Sequence, residues 1–361
     1  MLYRLLYRIH ADVSVLNVIR YITFRTAAAS LSALALSLAL GPWLIRILRE
    51  FQIGQVIRLE GPTSHRAKAG TPTMGGLLIL SAALVPTLLW ADLANVDVWI
   101  AVVTTAAFGA VGFLDDYLKI VRRDHHGLRP RYKLGLQVLI AAAMGGVLLV
   151  LARRGLYNTR LLFPFFKRVT LALGWLYLPF AVFVLTAESN AVNLTDGLDG
   201  LAISIFAIAA TAYTALSYVV GNRVLSDYLL LSHFADAAEL TVFCGSLVGS
   251  ALGFLWYNSY PAEIFMGDVG SLALGAALGT VAILIKQEML LLLVGGVFVL
   301  EALSVVIQVA WFKTTGRRVF KMAPIHHHFE AIGWSEPKVI TRFVIVAIIF
   351  ALFSLTTLKL R

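Results

Sequence analysis

Residues 267–285 read GDVGSLALGAALGTVAILI, and Asp268 is the one charged side chain among them. A helix of about 20 apolar residues crosses the hydrocarbon core of a bilayer, which is roughly 30 Å thick, because each residue advances the helix by about 1.5 Å. This stretch therefore predicts a transmembrane helix. Glycines and prolines inside such spans, among them Pro86, Gly109 and Gly112, are tolerated because neighbouring helices can satisfy the backbone and pack closely.

Other apolar stretches of comparable length occur along the chain, which is 59% hydrophobic and only 14% charged. Soluble domains contain about 25% charged residues. The ten predicted spans are residues 22–45, 75–93, 98–118, 134–152, 169–187, 200–221, 239–257, 267–285, 288–312 and 339–358. The sequence therefore predicts an all-α, polytopic integral membrane protein with about ten transmembrane helices, in which residues 1–361 form a single domain. It excludes a soluble multidomain enzyme, a disordered protein and a fibrous repeat. Apolar residues at helical spacing before residue 22 predict a short additional helix in the membrane interface, and a frayed polar terminus is the alternative.

The distribution of Lys and Arg predicts the orientation of the chain. Ten crossings place both termini on one side and five loops on the other, namely 46–74, 119–133, 188–199, 258–266 and 313–338. These loops carry most of the Lys and Arg between spans, so the positive-inside rule makes them cytoplasmic and both termini periplasmic in a bacterial inner membrane. The basic segment 153–168 runs against this rule. The net charge of +10 is attributed to cytoplasmic loops and the anionic lipid surface, and no nucleic-acid partner is predicted.

Three acidic motifs lie at helix ends on the predicted cytoplasmic side. They are Asp115-Asp116 at the end of the third span, the segment 188–200 with Asn190, Asn193, Asp196 and Asp199, and Asp268 before the eighth span. Adjacent carboxylates repel each other and need a cation or a shared proton, and these acidic loops contain no Lys or Arg. Oxygen ligands favour Mg²⁺ or Mn²⁺, and a single cysteine, Cys244, excludes a cysteine zinc cluster and a disulfide framework. The alternatives are carboxylates that only reach the headgroups, a solvated turn at 188–200 and an N-cap role for Asp268.

Three further motifs contain bases: the run His326-His327-His328, the Gly/Thr-rich loop 61–76 and the basic segment 119–133. Three consecutive histidines cannot all face one way on a helix, so a three-histidine zinc site made from this run alone is not expected. As hydrogen-bond donors, the histidines are expected to bind a phosphate or sugar-peptide group; a metal-binding tract and a solvated loop are the alternatives. The loop can receive a phosphate through backbone N–H groups, although it lacks P-loop spacing. Most charges of segment 119–133 are expected only to fix the topology. Together with the acids, these motifs indicate phosphoryl chemistry between a soluble anionic substrate and a lipid phosphate.

Five ordered motifs resemble those of the phospho-N-acetylmuramoyl-pentapeptide transferases, a family of the polyprenyl-phosphate N-acetylhexosamine-1-phosphate transferase superfamily. They are PTMGG (72–76), FLDDY (113–117), NAVNLTDGLDG (190–200), MGDVGS (266–271) and PIHHHFE (324–330). The resemblance covers nearly the whole chain. It implies an enzyme of peptidoglycan synthesis that transfers phospho-MurNAc-pentapeptide from UDP-MurNAc-pentapeptide to undecaprenyl phosphate, forming lipid I and UMP with Mg²⁺ as the cofactor.

The resemblance also implies roles for individual residues. Asp268 corresponds to the Mg²⁺ ligand and Asp115 to the candidate base, and Asp116 joins them as a catalytic residue. The residues implied to bind substrate are Asn193 and Asp196 beside these acids, Phe265 stacked on uracil, Lys68, Thr73, Asn258 and Gln308 lining the nucleotide pocket, and His326, His327 and His328 near the sugar-phosphate.

Two other functions share parts of this pattern. A sister enzyme that transfers GlcNAc-1-phosphate is the nearer one, and the histidine run favours the muramoyl-pentapeptide enzyme over it. A cation-coupled transporter would place its carboxylates near the bilayer midplane between broken helices, whereas these acids lie at one membrane face. Direct attack by the lipid phosphate is favoured over a covalent intermediate on an Asp, because the phosphate is largely ionised near neutral pH. The sequence leaves the oligomeric state open, with a homodimer among the options.

Overall fold

The computed structural model describes residues 2–9, 13–50, 70–122 and 127–358. Its helices are α1 (Leu2–Arg8), α2 (Ile22–Glu50), α3 (Gly76–Trp90), α4 (Val96–Arg122), α5 (Pro130–Arg153), α6 (Tyr177–Thr195), α7 (Leu201–Gly221), α8 (Arg223–Leu229), α9 (Ala237–Asn258), α10 (Gly267–Leu284), α11 (Glu288–Val294), α12 (Gly296–Thr315), α13 (Ile325–Ala331) and α14 (Glu336–Thr356). Two strands, β1 (Arg160–Phe163) and β2 (Phe166–Ala172), form a small antiparallel sheet. The predicted all-α class is confirmed apart from this hairpin. The short helix expected before residue 22 corresponds to α1 and a 3₁₀ helix at Ser14–Arg20, and its location in the interface stays a prediction.

The polytopic architecture is confirmed. Among the described residues, nine helices are long and apolar enough to cross a bilayer, namely α2, α4, α5, α6, α7, α9, α10, α12 and α14. The remaining predicted span, 75–93, corresponds to the apolar helix α3. This helix has 15 residues and therefore a length of about 22 Å, which is less than the hydrocarbon thickness.

The predicted fifth span, 169–187, is wrong at its start, because β1 and β2 form a hairpin there and α6 begins only at Tyr177. Leu161 of β1 lies opposite Leu171 of β2. Val169 and Thr170 are β-branched, and such residues favour extended backbone because a helix restricts their χ1 angles. Hydropathy alone could not separate this strand from the apolar helix that follows it.

The predicted ninth span, 288–312, is interrupted at Gly295, which separates α11 from α12. Two consecutive glycines weaken a helix, since glycine loses more backbone entropy than any other residue when it becomes helical. Packing also requires a glycine at 296, because the ring of Phe350 in α14 lies 2.8 Å from the position that a Cβ on Gly296 would take. The break is therefore favoured by local sequence and by its helical neighbour.

Helix α10 is the centre of the fold, since every residue from Val269 to Leu284 is buried. It packs against α3, α4 and α6. Small residues allow this contact to be close: a Cβ on Gly275 would lie only 2.6 Å from the Cα of Ser189 in α6. The first turn of α10 is thereby held against the ends of its neighbours that carry the other acidic motifs.

A buried ion pair joins three segments at the opposite end of the bundle. Arg25 of α2 is 2% exposed, and its two terminal nitrogens donate to the two carboxylate oxygens of Glu239 in α9 at 2.7 and 2.6 Å. The guanidinium also donates to the carbonyl of Trp90 at 3.2 Å, and the backbone N–H of Asp92 donates to Glu239 at 2.9 Å. The pair thus connects α2 and α9 to the turn between α3 and α4.

Candidate active site

Three carboxylates from two helices meet at one end of the bundle. Asp115 and Asp116 lie near the end of α4, and Asp268 lies in the first turn of α10. One oxygen from each carboxylate lies within 4.8 Å of the others. The approach of the helices depends on Gly112 of α4, because a Cβ there would lie 2.1 Å from the carbonyl oxygen of Asp268. The N-cap residue of α10 is Met266 and Asp268 lies inside the first turn, so the N-cap alternative is wrong.

One oxygen of each carboxylate is held by a neighbouring N–H donor. Asp115 Oδ1 accepts from the backbone N–H of Leu128 at 2.8 Å, and Asp116 Oδ2 accepts from the backbone N–H of Val269 at 3.2 Å. Asp268 Oδ1 accepts from the side-chain amide of Asn193 at 2.7 Å. These bonds fix the rotation of each carboxylate, so the three remaining oxygens are directed to a common place.

That place is taken by the ammonium group of Lys119. Its Nζ lies 2.7 Å from Asp115 Oδ2, 3.2 Å from Asp116 Oδ1 and 2.7 Å from Asp268 Oδ2. Lys133 of α5 adds a second ammonium group, at 2.8 Å from Asp268 and 3.6 Å from Asp115.

The structure therefore corrects one expectation, because the acidic motifs are not free of bases. Lys119 and Lys133 are two charges of segment 119–133 that contact the carboxylates directly. Lys119 could have been found from sequence, since it follows Asp115 by four residues and Asp116 by three, which places all three side chains on one helical face. Lys133 lies on another helix and had no such signal.

The donor set fits a divalent metal ion. Three convergent carboxylate oxygens are hard ligands of the kind that Mg²⁺ takes, and the protein already places a cationic group among them. The acids are therefore paired with a cation, as expected, and in this structure that cation is the ammonium group of Lys119. Asp199, in contrast, lies apart from this cluster, where its Oδ2 accepts from the backbone N–H of Ala262 at 3.0 Å.

Asp196, Thr73 and Phe265 lie beside the cluster. Asp196 follows the last residue of α6, and burial together with the nearby carboxylates of Asp268 and Asp116 raises its pKa to about 8. The hydroxyl of Thr73 lies 3.0 Å from the position that a Cβ on Gly267 would take. The backbone N–H of Phe265 donates to the carbonyl of Pro72 at 2.8 Å, which holds the PTMGG segment against the start of α10.

Two residues expected to line the nucleotide pocket make internal hydrogen bonds. The amide of Asn258 donates to the carbonyl of Ile264 at 2.8 Å, and its oxygen accepts from the N–H of Gly200 at 3.1 Å. The side-chain oxygen of Gln308 accepts from two backbone N–H groups in the loop after α12. Their nucleotide contacts stay predictions. Lys68 lies outside the described residues.

The three histidines lie on the short helix α13 and have different neighbours, as expected for consecutive helical positions. His326 is fully buried, with Nδ1 3.1 Å from Oε2 of Glu301 in α12. Nδ1 of His327 lies 2.7 Å from Oε2 of Glu330, and His328 accepts from the N–H of Lys321 at 3.1 Å.

His326 connects this helix to the acidic segment. Its Nε2 lies 2.3 Å from the position that a Cβ on Gly197 would take, so only glycine fits there beside Asp196. The predicted histidine motif thus packs against the segment 190–200. Glu330 belongs to the predicted histidine motif, although no role was assigned to it. Glu301 was not selected from sequence and had no local signal, because it lies 25 positions from His326 along the chain.

The chain is similar to known proteins over its full length. Residues 98–286 match the sequence profile of glycosyl transferase family 4, and residues 68–80 match signature 1 of the phospho-N-acetylmuramoyl-pentapeptide-transferases. Identity is 57% over 380 residues with the phospho-N-acetylmuramoyl-pentapeptide-transferase of Koribacter versatilis (strain Ellin345), and 55% over 361 residues with that of Geobacter sp. (strain M21). Both alignments cover 100% of each chain. Asp115, Asp116 and Asp268 all lie within the region matched by the profile.

Proposed function

The chain belongs to the phospho-N-acetylmuramoyl-pentapeptide-transferase family, and on this premise we propose that it transfers phospho-MurNAc-pentapeptide from UDP-MurNAc-pentapeptide to undecaprenyl phosphate, forming lipid I and UMP. It is a multi-pass membrane transferase with Mg²⁺ as its cofactor. The observation that carries the cofactor and the site is the convergence of Asp115, Asp116 and Asp268 on one cation at the end of the central helix. A membrane enzyme needs such a site near the surface, where a soluble nucleotide and a lipid headgroup can both reach it.

The residues of the cluster have separate tasks in this reaction. Asp268, with Asp115 and Asp116 beside it, would hold the metal ion, and the 2.7 Å hydrogen bond from Asn193 would keep Asp268 in the ligating orientation. A bound Mg²⁺ would neutralise the negative charge that develops on the departing UMP. Lys119 and Lys133 add positive charge where the diphosphate of the substrate would lie. These groups act by position and charge, as in phosphoryl transfer generally.

The lipid phosphate needs little activation, because the second pKa of a phosphomonoester is about 6. Asp115 is proposed to orient this phosphate or to accept its residual proton, and the reaction is a direct displacement. The side chains of Thr73 and Phe265, next to the start of α10, are proposed to bind the nucleotide, together with Lys68, Asn258 and Gln308. The histidines of α13 and Asp196 would bind the sugar-phosphate.

The functional test is a transfer assay with purified protein in detergent, radiolabelled UDP-MurNAc-pentapeptide and undecaprenyl phosphate. We expect labelled lipid I to form with Mg²⁺, to disappear with EDTA and to return when Mg²⁺ is restored. An excess of unlabelled UDP-GlcNAc should leave the rate unchanged. Inhibition by UDP-GlcNAc with transfer of its own sugar would instead support the sister GlcNAc-1-phosphate transferase, and lack of any transfer would contradict the proposal.

The orientation is proposed from the charge distribution, with the site in the cytoplasm and both termini in the periplasm of a bacterial inner membrane. After replacement of the buried Cys244, single cysteines at Arg317 and Arg223 test it, because both side chains are exposed and lie at opposite ends of the bundle, Arg317 in the loop after α12 and Arg223 at the start of α8. An impermeant maleimide applied to spheroplasts should label position 223 at once and position 317 only after permeabilisation. The reverse pattern would contradict the orientation.

A further inference from the structure

The oxygens that would hold a metal ion are the same oxygens that contact Lys119. Asp115 Oδ2, Asp116 Oδ1 and Asp268 Oδ2 are all within 3.2 Å of its Nζ. The other oxygen of each carboxylate is already bound by Leu128, Val269 or Asn193. A divalent cation at these three oxygens would need contacts of about 2.0–2.1 Å, which leaves no room for an ammonium group at the same point. Metal and ammonium therefore exclude each other.

Lys119 is able to leave while the carboxylates stay in place. Its side chain is 32% exposed, whereas those of Asp115 and Asp116 are 4% and 3% exposed. Lysine is a point charge on a flexible stem of four carbons, so its head can move by several ångströms without movement of α4. The acids cannot follow it, because their orienting N–H donors lie on other segments of the fold.

We propose that Lys119 is the resident counter-ion of the cation site, that a divalent metal ion binds by displacing its ammonium group, and that the displaced group then binds the substrate diphosphate. This inference rests on the proposed function. Metal and diphosphate bind cooperatively as a result, because the diphosphate gives the displaced ammonium a new partner. By linkage, each ligand raises the affinity for the other by the same factor.

The first test measures binding of Mn²⁺ to the full-length protein in detergent, from the free Mn²⁺ signal in electron paramagnetic resonance, with no nucleotide present. Lys119→Met removes the competing cation, so the Kd for Mn²⁺ should fall by about tenfold or more, which corresponds to about 1.4 kcal/mol. Lys119→Arg retains a positive charge and should stay close to wild type. Lys133→Met should give a smaller gain, since Lys133 contacts Asp268 and Asp115 but not Asp116.

The second test measures coupling. The Kd of UDP is determined with and without saturating Mn²⁺. The Kd without Mn²⁺ is divided by the Kd with Mn²⁺, and this ratio is compared between wild type and Lys119→Met. Complex formation between Mn²⁺ and UDP in solution is the same for both proteins, so it cancels in the comparison. We expect the ratio to be larger for wild type, because only wild type has an ammonium group to transfer from the carboxylates to the diphosphate.

Matched controls make the outcomes distinguishable. Lys313→Met changes an exposed lysine of α12 and should leave the Mn²⁺ affinity unchanged, and melting curves report whether each variant is folded. If Lys119→Met binds Mn²⁺ equally or more weakly while Asp268→Asn abolishes binding, the inference is overturned and the proposed metal site stands. If neither wild type nor any variant binds Mn²⁺, both are overturned. Should Lys119→Met fail to fold, Lys119→Gln provides the same loss of charge.

Discussion

Replacing Asp268 with asparagine is expected to reduce the rate of lipid I formation by about a thousandfold, or roughly 4 kcal/mol of transition-state stabilisation. The amide has nearly the same shape but no charge. It can still accept from Asn193 through its oxygen, yet it presents an N–H₂ group or a neutral oxygen to Lys119 and Lys133. Three carboxylates then become two, and the site loses the ligand that joins α10 to α4.

The measurement is the initial rate of transfer at saturating Mg²⁺, alongside a melting curve of the same preparation. Asp227→Asn is the matched control, because Asp227 is exposed and its contact with Arg223 is 3.9 Å long, at the opposite end of the bundle. The control should retain wild-type activity. Near-normal turnover of a folded Asp268→Asn protein would refute the assignment of Asp268 as the metal ligand.

Replacing Arg25 with methionine is expected to lower the free energy of unfolding by about 3–5 kcal/mol, the usual cost of removing one partner from a buried ion pair. Glu239 would lose both guanidinium donors and would remain in a largely buried position with only the N–H of Asp92. The carbonyl of Trp90 would lose its donor as well. The three segments would then lose the charged contacts that join them at this end of the bundle.

Unfolding is followed by thermal denaturation in detergent, with Arg223→Met as the control because its ion pair is exposed on both sides. The double variant Arg25→Met/Glu239→Gln should be less destabilised than Arg25→Met, since it contains no uncompensated buried charge. If Arg25→Met melts at the same temperature as Arg223→Met, the buried pair does not stabilise the fold.

Several elements could be predicted closely from local sequence. Helices α7, α9 and α10 begin and end within about two residues of the predicted spans, a margin typical of helix assignment. The extent of such a helix follows from its own stretch of apolar residues, because all backbone hydrogen bonds of a membrane helix are formed within the segment. The hairpin of β1 and β2 and the break at Gly295 were missed, since hydropathy does not distinguish a strand or a broken helix from a continuous span.

The site was predictable in part. Asp115, Asp116 and Asp268 were selected together because their motifs are acidic, lie at helix ends and resemble those of a family. Their convergence within 4.8 Å depends on the packing of α4 against α10 at Gly112. No pattern along the chain indicates that Asn258 and Gln308 use their side chains for internal hydrogen bonds, as the structure describes.

By itself, the sequence determined that the chain is a polytopic membrane protein, where most of its long apolar helices lie, and which acidic and histidine motifs identify its family. Those properties depend on composition and on residues a few positions apart. Only the tertiary structure decided which ionisable side chains meet: Lys133 with Asp268, Arg25 with Glu239, and Glu301 with His326. Their partners are separated by 135, 214 and 25 positions. Such pairs form because packed helices bring distant side chains together in a medium where an unpaired charge is costly.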